Sequence, residues 1–380
     1  MSSAVGGMRG DGVRVNTRLR GVEAARGVAA VLVVLVHATD MLADPKYFGR
    51  LAFDGLFVFA HAGVDFFFVL SGFIIAYAHL GRAPAGLSNA ATVADYLRSR
   101  AIRIYPTYWA VCLLYAVVLA ASPTRGRYEQ GLYAVLSSLA LLPQPHEPIL
   151  GVAWSLQYEL VFYALFAVFL VARRLGVALF VLWLGLTLLA VETDVLDGLP
   201  GRFLFRVFNG EFVCGMGVAW LVLHRRLPAL SSWVPGACLA AGVALFFGAG
   251  LRESWGTPLP AEYPPLHALY AAGAALALYG LVGLERQPAW RVPEWAVAVG
   301  GASYSLYLLH VVVLMFLQQA LLRTGALMAL PLEPVFLACV AVAVGVALVF
   351  ARTVERPLLR WCRARIPRGG GFAKPAATPL

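Results

Sequence analysis

The chain is poor in charge. Only 13% of its 380 residues are Asp, Glu, Lys or Arg, where soluble domains carry about a quarter. With 61% hydrophobic residues and a mean hydropathy of +0.77, that scarcity excludes an ordinary soluble protein. Polar low-complexity tracts are missing, which excludes disordered and collagenous chains. The five cysteines, Cys112, Cys214, Cys238, Cys339 and Cys362, form no CxxC pair, which excludes a disulfide-rich secreted framework. The first four lie in apolar stretches, where a free thiol behaves as a small hydrophobe. There is no GxxxxGK[ST] phosphate loop, no GxGxxG after a strand, no HExxH and no GxSxG elbow. The seven histidines are scattered without ligand spacing, so no metal site is expected.

What the chain has in abundance is apolar blocks such as Gly27–Ala38, Phe66–Ala78, Val161–Ala172 and Val335–Ala351. These approach the roughly twenty residues that cross a bilayer. Single segments cross lipid only as helices that satisfy their own backbone hydrogen bonds. The expectation is an all-α polytopic integral membrane protein with about ten transmembrane helices, near 22–41, 54–79, 103–121, 153–172, 176–192, 203–223, 234–250, 265–284, 297–320 and 333–352. Leu132–Leu142 is too short to cross and ends at Pro143 and Pro145, so it is expected to be re-entrant or interfacial. The organisation expected is a cytoplasmic segment 1–21, a membrane domain 22–357 and a basic, disordered cytoplasmic tail 358–380.

The net charge of +10 comes from Arg in short connections. Ten spans place Arg9, Arg14, Arg18 and Arg20, then Arg82, Arg98, Arg100 and Arg103, then Arg173 and Arg174, Arg225 and Arg226, and Arg356, Arg360, Arg363 and Arg365 on one side. Acidic or near-neutral loops, with Glu192, Asp194 and Asp197 or with Arg252, Glu253 and Glu262, fall on the other. The positive-inside rule then puts both termini in the cytoplasm. No continuous polar face exists to bind nucleic acid.

Ionisable residues at membrane depth are costly and mark candidate sites. Arg26 and His37 are eleven residues apart, three turns plus about 20°, so they share one face of the first span about 16 Å apart. His37 lies deeper and offers a general base; a hydrogen bond to a neighbouring helix, with Arg26 as an ordinary anchor, is the alternative. Asp65 sits against Phe66, Phe67 and Phe68 and must be protonated or meet a cation, either His37 or an Arg; a structural pair and an orienting role stand equally. Arg100 and Arg103 precede an expected Tyr105–Pro106 turn and suit a phosphate, although the positive-inside bias explains either alone. Ser155 and Glu159 share a helical face, and Glu159 should face a cavity or a cation. Trp154 and Tyr158 are interfacial belt residues or stack on a sugar ring. Ser303, Tyr307 and His310 share a face by i, i+4, i+7 spacing. Asn209 with Glu211 form a polar pair without an assigned role.

Together RGVAAVLVVLVH, GVDFFFVLSGFII, RSRAIRIYPTYW, WSLQYELVFY, YSLYLLH and VERP resemble, in order from Val22 to Pro357, the membrane-bound acyltransferase 3 family. Within it the chain is most similar to bacterial exopolysaccharide O-acetyltransferases. The resemblance implies an enzyme of the inner membrane that moves acetyl from acetyl-CoA, a substrate and not a bound cofactor, to a hydroxyl of a cell-surface or secreted polysaccharide or its lipid-linked glycolipid precursor. Polysaccharide biosynthesis machinery is the partner expected beyond the lipid bilayer. Carried over by motif, His37 is the essential histidine, Arg26 its partner, Arg100 and Arg103 the pair facing the CoA phosphates, and Glu159 the acidic residue. Asp65 or Glu159 would orient the imidazole, which acts as base or as acyl carrier. Trp154, Ser155, Tyr158, Tyr307 and His310 are expected to contact the acceptor. A small lipophilic acceptor such as a macrolide, or a secondary transporter or flippase, are the alternatives.

Overall fold

A computed structural model describes residues 19–80, 89–120, 131–144, 147–193, 201–224, 233–257, 259, 263–324 and 330–366. Its long helices are α1 (Arg20–Ala43), α2 (Gly63–Leu80), α3 (Asn89–Ala120), α5 (Trp154–Val171), α6 (Arg173–Glu192), α8 (Phe208–His224), α9 (Val234–Trp255), α10 (Pro264–Leu284), α12 (Ser303–Thr324) and α13 (Leu332–Phe350). Shorter helices are α4 (Leu132–Leu139), α7 (Gly201–Leu204), α11 (Glu294–Gly301) and α14 (Arg356–Arg365). No strand occurs among the described residues, and nine helical stretches are long and apolar enough to cross a membrane. The protein is therefore an all-α polytopic membrane protein. The sixth expected span, 203–223, is the short α7 followed by the 17-residue α8.

The expected interfacial block is α4, an eight-residue helix whose Leu132, Tyr133 and Leu136 are exposed. Tyr108 and Trp109 of α3 donate to the carbonyls of Ser138 and Leu139, which bind the end of α4 to a spanning helix. Backbone groups outside a helix are tolerated in a membrane protein where such partners satisfy them.

Three expectations are corrected. No turn forms at Tyr105–Pro106, since α3 runs through Pro106 and carries Arg100 and Arg103 on one continuous helix. The ninth span is broken at Ala302 into α11 and α12. The tail is not irregular from residue 358, because α14 reaches Arg365 and buries Leu359 and Cys362 beside Ile102. The expectations for Arg9, Arg14, Arg18, Arg82, Asp194, Asp197, Arg225, Arg226, Glu262 and the tail beyond residue 366 lie outside the described residues.

Helices α2 and α8 approach each other at backbone distance. A Cβ on Gly72 would stand 2.0 Å from the Phe212 carbonyl oxygen, and one on Gly215 would stand 1.9 Å from that of Val69. Only glycine at these two positions lets the two backbones touch, and small residues are the usual means of tight packing in lipid. Around this contact Phe68, Phe73, Phe162, Phe166 and Phe212 form the core. Between α13 and α14 the backbone makes one π-helical turn, Ala351–Glu355. The extra residue in such a turn re-aims side chains, and here Glu355 points inward, 2% exposed.

Candidate active site

A cavity of about 150 Å³ opens among α1, α2, α3, α5 and α12. Arg26, Arg100 and Arg103 line it together with Ser71, Glu159, Tyr163, Tyr304, Ser155 and Tyr307. Three guanidinium groups thus converge on one space from α1 and α3, so the anion-binding pair expected from sequence is joined by Arg26. Their electrostatic states differ. Arg103 donates to Glu355 at 2.8 Å, and Ser305 donates to the other Glu355 oxygen, while the guanidinium lies 4.9 Å from the Tyr304 ring centre. Arg26 makes no hydrogen bond or ion pair among the described residues. Arg100 lies over the rings of Tyr96 and Tyr163 at 5.9 and 5.8 Å. The cations left to an anion are therefore Arg26 and Arg100, and the expected equivalence of Arg100 and Arg103 does not hold.

Glu159 faces this cavity, as its place in α5 suggested, but it meets hydroxyls and not a cation: Ser71 donates at 2.8 Å and Tyr163 at 2.5 Å. At the cavity's far end the Tyr307 hydroxyl is 2.6 Å from Ser155 Oγ and 2.8 Å from the Val152 carbonyl. Behind Tyr307, at 6.0 Å between ring centres, stands His310, and edge-on to His310 at 4.8 Å stands His37.

Both rings are oriented by their own helices. His37 Nδ1 is 2.8 Å from the Val33 carbonyl and His310 Nδ1 is 3.1 Å from that of Leu306. A carbonyl only accepts, so each Nδ1 carries the proton and each Nε2 holds the lone pair. His310 is fully buried and its Nε2 has no partner. Among the described residues no carboxylate hydrogen-bonds His37: Asp65 and Glu159 meet other partners, and the backbone of α1 supplies the orientation. Arg26 and His37 share α1, yet Arg26 lines the cavity and His37 lies beyond its lining.

Asp65 meets a side chain that the sequence reading did not name. Its carboxylate hydrogen-bonds His267 of α10, and Glu211 of α8 lies 3.7 Å from the same nitrogen. Trp154 and Tyr158 are also reassigned, since neither lines the cavity. Tyr158 is buried in a stack on Phe203, and Trp154 packs on Phe68 and Phe208, so both serve the core. His310 likewise contacts His37 and not the cavity. Of the residues expected to meet the acceptor, Ser155 and Tyr307 line the cavity.

The sequence reading missed Glu355, noted only within VERP, and His267. Its signal was present, as an ionisable residue three positions into an apolar helix that begins Pro264–Pro265. Tyr163 and Tyr304 carried no such signal.

The fold is an all-helical bundle with an arginine-lined cavity and a pair of imidazoles beyond that lining. In keeping with this, residues 19–352 match the family described as "Acyltransferase domain", and the chain belongs to that family; it is a membrane acyltransferase. It is similar to "Exopolysaccharide production protein ExoZ" of Rhizobium meliloti (strain 1021), 30% identical over 320 residues, covering 81% of this chain and 92% of the relative. It also resembles "Protein 2 in picA locus" of Rhizobium radiobacter, 29% identical over 170 residues, covering 38% of this chain and 79% of that one. No solved structure matches.

Proposed function

We propose that this acyltransferase moves acetyl from acetyl-CoA to a hydroxyl of an exopolysaccharide, or of its lipid-linked precursor, with His37 as general base. The observation that carries the reading is the histidine pair behind the cavity, with the His37 Nε2 lone pair free because Nδ1 is given to Val33. The CoA phosphates lie on Arg26 and Arg100, each of which can bind oxygens bidentately, and the thioester reaches past Tyr307. Nε2 of His37 takes the proton of the acceptor hydroxyl as its oxygen attacks the thioester carbonyl. The carbon–sulfur bond breaks, and the CoA thiolate takes up a proton. Such a base contributes about 10²–10⁴ in rate.

The relative's name, exopolysaccharide production, supports the acceptor class. The arginine distribution supports cytoplasmic termini in the inner membrane, with donor entry on that side. The acceptor is delivered by polysaccharide biosynthesis machinery. Comparing the acetyl content of exopolysaccharide from a strain lacking this protein with its parent tests the reading: loss of O-acetyl groups is expected, and unchanged acetyl content with an intact polymer contradicts it.

A further inference from the structure

We propose that Asp65, Glu211 and His267 bind a divalent metal ion of the zinc class and so fasten three helices together. The three side chains come from α2, α8 and α10, and their ligand atoms lie within 4.8 Å of one another. They are 1%, 2% and 6% exposed. Both Glu211 oxygens are buried without a hydrogen-bond partner, although the side chain points at a nitrogen already given to Asp65.

Charge makes the case. As metal ligands, two ionised carboxylates and a neutral imidazole would bring two negative charges into an apolar surrounding that includes Phe208, edge-on to His267 at 5.3 Å. Buried charges are paired or coordinate metals. A proton on His267 cancels one negative charge and leaves Glu211 unmatched, whereas a divalent ion cancels both and gives the Glu211 oxygens a partner. One imidazole and two carboxylates are a three-ligand set that zinc accepts, with a fourth position left over. The ligands also sit on fixed elements, because Asp65 and Glu211 flank the glycine contact of α2 with α8. Sequence spacing could not reveal the set, since its members are 146 and 56 residues apart along the chain.

The test uses the full chain purified in detergent without chelator, with metal content, thermal unfolding and zinc X-ray absorption as readouts, none of which depends on acetyl transfer. Wild type is expected to hold about one divalent ion per chain, to lose thermal stability when a chelator removes it, and to regain it with zinc chloride or manganese chloride. Glu211→Gln, which keeps shape and removes charge, is expected to hold less than about a tenth as much. The zinc-bound wild type should show nitrogen and oxygen ligands including imidazole. Wild type that holds no ion and responds to neither salt overturns the proposal in favour of a shared proton. A sulfur shell, or Glu211→Gln binding as tightly as wild type, overturns it by placing the ion elsewhere.

Discussion

Two pairs of histidines meet inside this bundle, and their surroundings make them opposites. His61 and His267 lie 6.3 Å apart between ring centres, and each is held by a carboxylate: Glu253 at 2.8 Å from His61 Nε2, and Asp65 on His267. Tyr270 adds a hydrogen bond to Glu253 at 2.5 Å. His37 and His310 lie closer, at 4.8 Å, yet neither touches a carboxylate, and each gives Nδ1 to a carbonyl one turn back in its own helix. The first pair is committed to charge neutralisation and belongs to the architecture. The second is oriented by backbone carbonyls alone, which leaves each Nε2 beside a cavity lined by arginines. In the proposed mechanism the helix, rather than an acid, fixes the tautomer of the base.

The sharpest way to break this contrast is to remove a partner from the carboxylate-held pair. Asp65→Asn removes the buried carboxylate that accepts from His267, and removing one partner of such a buried pair costs about 3–5 kcal/mol. A large fall in the thermal unfolding temperature in detergent is expected; an unchanged temperature contradicts the architectural role. His310→Gln should act oppositely, lowering kcat by roughly a hundredfold, the low end for groups serving proton transfer, with little change in stability. Steady-state kinetics beside a thermal melt separates the two outcomes. Smaller again is Arg26→Ala, which removes the cation that has no protein partner. The KM for acetyl-CoA should rise about tenfold, as the loss of one charge-assisted contact of about 1.5 kcal/mol implies, while Arg103→Ala should chiefly destabilise the fold by stranding Glu355.

The smallest effect concerns Glu285, beyond the end of α10, whose carboxylate accepts from the Gly21 amide at the start of α1. Burial pushes its pKa up to about 7 from 4.5, against the opposing backbone hydrogen bond from Val22. A raised folded value means that the native state holds the proton more tightly. The contribution is therefore complete below about pH 4.5 and is lost as pH rises through about 7. Glu285→Gln should flatten the dependence of the unfolding temperature on pH between those values, and an unaltered slope would assign it to another group.

Much of this was legible in the sequence because lipid imposes strong rules. Apolar blocks of span length gave the helices, and the rarity of charge at depth singled out Arg26, His37, Asp65, Arg100, Arg103 and Glu159, of which only His37 and Asp65 fall outside the cavity lining. The pairing of those charges was not legible. Asp65 meets His267 and Arg103 meets Glu355 across 202 and 252 residues, and helix periodicity places a side chain on a face without saying which helix faces it. Backbone details were hidden too: Pro106 reads as a turn, although the helix continues through it, and the π turn at Ala351–Glu355 has no periodic signature. Trp154 and Tyr158 read as sugar-stacking residues because aromatic composition does not distinguish a core from a subsite.

The central claim is that His37, oriented by its own helix, performs the transfer, and it is tested by acetyl transfer from labelled acetyl-CoA with purified protein in proteoliposomes supplied with the acceptor polysaccharide. His37→Gln should insert and melt like wild type, bind acetyl-CoA with similar affinity, and transfer label at least about a hundredfold more slowly. Transfer at the wild-type rate by that variant would contradict the account.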